Sequence, residues 1–158
     1  MNERILMSPV GHVYNSRTTL IDDHWGGIIS RIILDDPFSE DCFEEIDTFS
    51  HAEIVFYFDQ LESDQKFYPS RHPRGKPDWP KVGIFAQRNK DRPNRIGLTI
   101  VRIIQRDGRC LIVQGLDAMN GTPVLDIKPV MKEFLPTEPV VQPEWSHELM
   151  KEYWKQDS

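Results

Sequence analysis

The sequence has no long hydrophobic run and only two cysteines among its 158 residues. No apolar stretch approaches the roughly 20 residues that a membrane-spanning helix needs. The opening residues, MNERILMSPVG, lack the apolar segment of a secretory signal. Cys42 and Cys110 alone make no disulfide framework, so a reducing compartment is expected. We therefore expect a soluble cytoplasmic protein with no membrane partner.

Several signatures of catalysis are also missing. There is no phosphate-binding loop and no G-x-G-x-x-G segment opening a helix, which removes the usual argument for a Rossmann cofactor site. The five histidines share no metal-ligand spacing and neither cysteine belongs to a C-x-x-C pair, so no metal is expected. No serine or cysteine lies in a nucleophile elbow, so covalent hydrolysis is not supported.

The charges that are present are distributed unevenly. The net charge is -6, yet residues 66–95 carry nine basic side chains against two acidic ones. Residues 21–64 carry thirteen acidic side chains against one basic. A basic segment in an acidic protein attracts anions, or it is a solvated loop that balances an acidic neighbour.

Short β-branched and aromatic runs recur between turn residues. Asp107-Gly108 and Asn120-Gly121 are tight-turn signals. The predicted strands cover residues 9–14, 27–34, 52–58, 82–86, 98–105, 109–114 and 124–127. About seven such strands favour a mainly all-β fold, a small antiparallel β-barrel that leaves no open edge. An open β-sandwich is the structural alternative.

Two helices complete the prediction. Ser39 is a candidate N-cap for a short internal helix over residues 39–46, with acidic residues in its first turn. A C-terminal helix over about 143–155 has an apolar stripe formed by Trp145, Leu149 and Tyr153. We predict a single domain, residues 1–158, with a barrel core at about 8–136. The tail is expected to dock within its own subunit by default, with docking across a dimer interface as the alternative.

The segment 59–81 has no helical or strand period and contains four prolines. Long irregular connections in compact domains are usually functional or disordered. Aromatic and basic side chains favour a binding loop in this segment. Tyr68 or Trp79 could stack on an unpaired base, or merely pin the loop to the barrel, which is favoured for Trp79.

A dense polar turn, residues 87–95, separates two apolar runs and presents three arginines: Arg88, Arg92 and Arg95. Gly97 is expected to adopt a backbone shape that other residues resist. Arg88 and Arg92 could bind a carboxylate or a phosphate. They could instead form internal salt bridges, to Asp91 or Asp117.

Two long motifs then resemble the signature of the TsaA-like, or TrmO, family. They are GIFAQRNKDRPNRIGLTIVRI at 83–103 and VQGLDAMNGTPVLDIKPV at 113–130. Weaker similarity extends to PVGHVYNS at 9–16 and IDTFSHAEIVFYFDQ at 46–60. The resemblance thus covers roughly residues 8–136.

The resemblance implies a small β-barrel that binds S-adenosylmethionine without a Rossmann fold, usually as a homodimer. It also implies methyl transfer to the threonylcarbamoyl-adenosine beside the anticodon of tRNA. His24, Trp25 and Gly26 match the family by position and not by residue type. The cofactor positions that it implies are His24, Trp25, Gly26, Asp59, Gln60, Arg88, Leu98, Asn120, Gly121, Thr122 and Pro123.

Given that resemblance, the basic segment could meet tRNA phosphates. The side chains available for this are Arg71, Arg74, Lys76, Lys90, Arg92 and Arg95. Arg88 would suit the carboxylate of the cofactor. Asp117 and Asp126 are candidates to remove the acceptor's proton, or else they cap backbone N–H groups beside the Asn-Gly turn.

Two residues depart from the family pattern. Asn120 stands where the family usually has aspartate, and Arg95 stands where proline is common. The sequence after the barrel motifs also does not resemble the additional C-terminal domain of some relatives. If that domain helps to grip tRNA, we expect this protein to contact tRNA differently or to use another substrate.

Three functions remain open. The first is a tRNA methyltransferase, and the second is a barrel that binds S-adenosylmethionine or another small ligand without an RNA substrate. The third, between them, is methylation of a small metabolite.

Overall fold

The computed structural model describes residues 3–61 and 67–156. Eight strands lie within those ranges: β1 (Gly11–Tyr14), β2 (Ile29–Leu34), β3 (His51–Tyr57), β4 (Ser70–Arg71), β5 (Val82–Gly83), β6 (Ile96–Asp107), β7 (Cys110–Gln114) and β8 (Pro123–Pro129). One α-helix, α1 (Glu144–Met150), follows them. Short 3-10 helices cover Glu40–Phe43, Ile46–Thr48, Pro73–Gly75, Ile84–Ala86 and Lys132–Phe134.

Six of these strands close into an antiparallel barrel in the order β1-β2-β7-β6-β3-β8, while β4 and β5 form a separate two-stranded sheet. In β3 the side chains of Ala52, Ile54 and Phe56 are buried and alternate with outward-facing neighbours, as the two-residue period of a strand requires. Inward side chains from all six barrel strands form one core. The predicted barrel is confirmed, with six strands instead of about seven, and the sandwich alternative is wrong.

Gly97 owes its place to packing. It lies opposite Phe56 in the β3–β6 register, and a Cβ at Gly97 would lie 2.5 Å from the Phe56 ring. Gly97 is not among the glycines with positive φ. The expectation of an unusual backbone shape is therefore wrong, because the constraint is the space that the aromatic ring occupies.

The Asp-Gly and Asn-Gly turns are confirmed. Gly108 joins β6 to β7 with φ of 57°, and Gly121 precedes β8 with φ of 88°. Both angles lie in the left-handed region that glycine adopts without a steric penalty. Because β6 pairs directly with β7, the Asp107-Gly108 turn sets the register of that hairpin.

Two expected elements differ in the structure. The helix predicted over 39–46 is two short 3-10 helices, because Glu45 between them adopts a left-handed φ of 63°, which no right-handed helix can continue through. Ser39 occupies the N-cap position without a capping hydrogen bond from its side chain. The run 82–86 forms a strand only at Val82–Gly83 and then turns into a 3-10 helix.

Strand direction determines which loops meet. In the antiparallel barrel β1, β3 and β7 end at the rim where β2, β6 and β8 begin. We call this the upper rim, formed by the connections 15–28, 58–95 and 115–122. The second connection, described at 58–61 and 67–95, carries the small β4–β5 sheet. The opposite rim carries the 3-10 helices that follow β2 and the β6–β7 hairpin.

The tail docks within its own subunit. The helix predicted over 143–155 is shorter, Glu144–Met150, and the chain then turns toward the upper rim. There His24 N–H donates to the carbonyl of Glu152 at 3.2 Å and Trp25 N–H donates to that of Tyr153 at 2.8 Å. Within the described residues, no helix combines the length and the apolar character that crossing a membrane requires.

Candidate functional site

The upper rim collects the candidate residues from three separate connections. Gln60, which follows β3, donates its side-chain Nε2–H to the carbonyl of Asn120 at 2.8 Å. Asn120 in turn accepts the backbone N–H of Asn15, which follows β1, on its Oδ1 at 3.1 Å. The ends of β1, β3 and β7 are thereby joined around one turn.

Asn120 performs a structural task with its amide oxygen. A carboxylate oxygen could accept the same N–H from Asn15, so the exchange of aspartate for asparagine preserves this contact. The next residues are tied to β1, since Gly121 N–H donates to Val13 O at 2.7 Å and Val13 N–H donates to Thr122 O at 2.9 Å. Thr122 is buried, and Pro123 opens β8.

Arg17 organises the connection from β1 to β2. It is 7% exposed, and its guanidinium donates to the carbonyls of Asp23 at 3.1 Å and His24 at 2.7 Å. The same guanidinium lies 4.1 Å from the centre of the Trp25 ring, a cation–π contact. These contacts fix the segment 24–26, whose tryptophan side chain is itself buried.

A cavity of about 260 Å³ opens beside this arginine. It is lined by Ser16, Arg17, Thr18, Thr19, Ile21, His24 and Ile28. Hydroxyl, imidazole and aliphatic groups share its wall.

Arg88 and Leu98 are brought into direct contact. The Nη2 of Arg88 donates to the carbonyl of Leu98 at 2.6 Å. The contact uses one of five guanidinium N–H donors. Arg88 is exposed, and the Leu98 side chain is 44% exposed on the outer face of β6. The arrangement presents a cation beside an apolar side chain at the start of β6.

Asp117 is held by two hydroxyl groups. Thr99, buried on β6, donates its Oγ1–H to one carboxylate oxygen, and Tyr153 from the tail donates its O–H to the other. Burial, followed by the negative charge of Asp117, raises the pKa of Tyr153 well above its ordinary value. Arg88 and Arg74 oppose that rise electrostatically, which places both cations near the phenol.

Asp126 has different surroundings. Its carboxylate pairs with Lys128 Nζ at 3.0 Å and accepts the N–H of Ile127 at 2.9 Å. Val55 on β3 pairs with Asp126 of β8 on one side and with Leu98 of β6 on the other. Asp117 hydrogen-bonds to the tail through Tyr153, whereas Asp126 is bound to its near neighbours Lys128 and Ile127.

Most of the basic candidates are engaged within the chain. The N–H groups on both terminal nitrogens of Arg74 donate to the carboxylate of Asp23, at 2.7 and 3.2 Å. Arg71 pairs with Asp91 at 3.3 Å, and Arg92 donates to the carbonyl of Gln87 at 2.8 Å. The expected salt bridges from Arg88 or Arg92 to Asp91 or Asp117 are not found among the described residues. Asp91 pairs with Arg71 instead, and both Arg88 and Arg92 donate to backbone carbonyls.

The two aromatic candidates have different environments. Trp79 is 8% exposed and donates its Nε1–H to Glu148 of α1 at 2.8 Å. The Nζ of Lys76 lies 4.7 Å from its ring centre. Trp79 therefore pins the loop, whereas Tyr68 is 62% exposed and available for stacking.

Sequence reasoning missed three residues of the site: Arg17, Thr99 and Tyr153. Tyr153 was visible only as part of an apolar helical stripe, and its hydroxyl pairs with a residue 36 positions away. Contacts over such separations have no local pattern. Among the residues that the structure describes, no group of three His, Cys, Asp or Glu side chains could hold a metal ion.

Comparison with known proteins identifies the family. The model of the tRNA-methyltransferase O N-terminal domain, TrmO_N, matches residues 23–134, well over half of the chain. The chain belongs to the TrmO_N family. The resemblance of the two motifs at 83–103 and 113–130 is thereby confirmed.

Two relatives illustrate the range of the TrmO_N family. A probable S-adenosyl-L-methionine-binding protein of Archaeoglobus fulgidus is 41% identical over 93 residues, which are 59% of this chain and 24% of that protein. The human tRNA (adenine(37)-N6)-methyltransferase is 36% identical over 101 residues, 62% of this chain and 22% of that protein. The chain thus spans about a quarter of the length of these relatives.

The TrmO barrel is also found among solved structures. A crystal structure of TrmO from P. aeruginosa superposes with a TM-score of 0.73 over 92% of this chain and 63% of that chain, at 24% identity. The similarity shows a shared fold.

Proposed function

We propose that the chain is an S-adenosylmethionine-dependent methyltransferase that acts on tRNA. The finer form of the proposal takes the threonylcarbamoyl-adenosine beside the anticodon as the acceptor. One observation carries the proposal: the residues for which the resemblance implies cofactor contacts lie at the upper rim, on three separate connections and at the starts of β6 and β8. The relatives named as an S-adenosyl-L-methionine-binding protein and as a tRNA methyltransferase supply the reaction class.

The donor groups at the rim fit the cofactor. Arg88 has N–H donors beyond the one bound to Leu98 and suits the carboxylate of an amino acid. Gln60 and the 120–123 turn offer amide and backbone groups to ribose hydroxyls. The exposed Leu98 side chain offers an apolar contact. The set includes cationic, neutral polar and apolar groups, as a zwitterionic nucleoside requires.

The chemistry needs one proton acceptor from the protein. When bound, S-adenosylmethionine supplies an activated methyl group, so the nitrogen lone pair forms the N–C bond while the C–S electron pair returns to sulfur. The acceptor nitrogen then releases its proton. Asp117 is the carboxylate that faces the rim and is assigned to receive this proton. The remaining work is positioning and the exclusion of water.

Calorimetry with S-adenosylmethionine tests the cofactor step. Saturable binding is expected, and no heat at millimolar ligand would refute both cofactor functions. The RNA step is tested by incubating tRNA from cells lacking the protein with the purified chain and cofactor, then quantifying methylated threonylcarbamoyl-adenosine by mass spectrometry. If the nucleoside is unchanged although the cofactor binds, the cofactor assignment stands and tRNA is refuted as the substrate.

A second candidate function is cofactor or small-ligand binding without an RNA substrate. The internal ion pairs of Arg71 and Arg74 favour it, because charges already neutralised attract phosphates less strongly. Methylation of a small metabolite lies between the two. Cofactor binding without transfer to tRNA would favour these alternatives.

We also propose that two copies associate through the outer face of β6. Ile100 and Ile104 are each 46% exposed on this strand. The period of two directs Ile100 outward, and Ile104 follows at the β-bulge between Ile103 and Gln105. Ile100→Glu is expected to shift the protein toward monomer in sedimentation velocity. Ile29→Glu changes an equally exposed isoleucine on β2 and serves as control, so a matching shift there would refute the assignment.

A further inference from the structure

We propose that Tyr153 is a positioning residue of the methyl-transfer site, holding the Asp117 carboxylate in the orientation in which it receives the acceptor's proton. The inference rests on the proposed function and extends it to a residue outside the family match, which ends at residue 134. It makes the C-terminal segment part of the site.

The first step of the argument is the geometry of Asp117. Its two oxygens accept hydrogen bonds from opposite sources: Thr99 on the wall of the barrel and Tyr153 on the tail. Two donors on two oxygens fix both the position of the carboxylate and its rotation. Each oxygen retains lone-pair capacity for a further proton, since a carboxylate has about four acceptor sites.

The second step is the rigidity of the tyrosine. Its backbone carbonyl accepts the N–H of Trp25 at 2.8 Å, and its ring packs edge-on against Trp154 with centroids 4.8 Å apart. The main chain of Tyr153 is therefore anchored to the segment 24–26, while its hydroxyl holds Asp117. The phenol is thus fixed relative to both sides of the rim.

The third step concerns charge. Arg88 and Arg74 act electrostatically on the phenol of Tyr153, so this hydroxyl lies among the cations of the rim. In the proposed reaction the acceptor nitrogen forms a bond to the methyl carbon, the C–S pair goes to sulfur, and the N–H proton passes to Asp117. A carboxylate free to rotate would meet that proton less often, and misplacement by about 1 Å can cost on the order of 100-fold in rate.

The test compares Tyr153→Phe with the wild-type chain. The substitution keeps the ring and removes one hydroxyl. We expect kcat for methyl transfer to tRNA to fall about tenfold or more, while the calorimetric Kd for S-adenosylmethionine and the KM for tRNA stay within about twofold. Thr99→Val removes the other donor and is expected to lower kcat in the same direction. Tyr14→Phe, which removes a hydroxyl from an exposed tyrosine on β1, is the matched control.

The outcomes separate the two proposals. An active wild-type chain with equal or higher kcat in Tyr153→Phe overturns the positioning role alone. A lower kcat accompanied by an equally weakened cofactor Kd also overturns it, since that result describes a merely structural contact. An inactive wild-type chain overturns the proposed function and the role of Tyr153 with it.

The carboxylate itself gives a readout that needs no turnover. With carbon-13 in the aspartate side chains, the Asp117 carboxyl signal, assigned through Asp117→Asn, is expected to move in Tyr153→Phe and to stay in Tyr14→Phe. An unmoved signal would mean that the hydroxyl does not hold this carboxylate, and the inference would fall.

Discussion

At the scale of single residues, the upper rim depends on side chains that satisfy several partners at once. Asp117 accepts hydrogen bonds from two hydroxyl groups. The guanidinium of Arg17 donates to backbone carbonyls and also lies over the Trp25 ring. Asn120 links the ends of two connections. Each of these residues fixes backbone segments that are distant in sequence. Substitution is therefore expected to act on the geometry of the rim as well as on one contact.

Arg88 provides a direct test of the cofactor site. Arg88→Ala is expected to weaken S-adenosylmethionine binding by about tenfold or more, because a hydrogen bond to a charged group contributes about 1.5–3 kcal/mol. Calorimetry measures the affinity, and thermal unfolding checks that the fold is retained. Arg31→Ala, which changes an exposed arginine on β2, is the control. Equal affinity in Arg88→Ala would refute its assignment.

Tyr153 predicts a dependence of stability on alkaline pH. Burial and the charge of Asp117 raise the pKa of Tyr153 above its ordinary value of 10.0. The folded chain therefore keeps this proton where the unfolded chain loses it. The resulting contribution is complete below about pH 10 and declines above it, by up to about 1.4 kcal/mol per pH unit.

Urea unfolding at about pH 8 and about pH 11 measures this effect. The free energy of unfolding is expected to fall less between those conditions in Tyr153→Phe than in the wild-type chain. Tyr14→Phe should follow the wild type. Parallel losses in all three proteins would show that Tyr153 is not the group responsible.

At the scale of elements, the C-terminal segment connects parts of the rim that the barrel alone leaves separate. Trp79 of the long connection donates to Glu148, and the segment 24–26 hydrogen-bonds the chain that follows α1. Gly26 is part of this arrangement, because a Cβ there would lie 1.9 Å from the carbonyl oxygen of Trp154. The tail thus requires glycine at that position.

Gly26→Ala tests the docking of the tail. The added methyl group must displace main chain, so a loss of about 1–3 kcal/mol is expected, which lowers Tm by roughly 2–4 °C per kcal/mol in a protein of this size. Gly83→Ala is the control, since its Cβ would meet only a carbonyl oxygen at 3.9 Å. Calorimetric unfolding that is equal in the two variants would contradict tight docking.

At the scale of the whole molecule, the sequence predicts the architecture well and the site in part. The alternation of buried and exposed residues in β3 and the Asp107-Gly108 turn are both local sequence patterns. The strands of the barrel could therefore be predicted from them. The Tyr153–Asp117 contact depends on a chain that leaves the barrel at one rim and returns to the other, which no local pattern encodes. The constraint on Gly97 likewise comes from Phe56 on a neighbouring strand.

The charge distribution of the whole chain gives the last prediction. Among the described residues Lys90 has no carboxylate partner, unlike Arg71 and Arg74, whose charges are paired with Asp91 and Asp23. If Lys90 meets a phosphate of tRNA, Lys90→Gln should weaken binding and reduce the slope of log K against log salt by about 0.7–0.9. Filter binding over a series of salt concentrations measures that slope. Lys128→Gln, which changes a lysine paired with Asp126, is the matched control. An equal change of slope in both variants would show that the effect comes from net charge and not from a phosphate contact of Lys90.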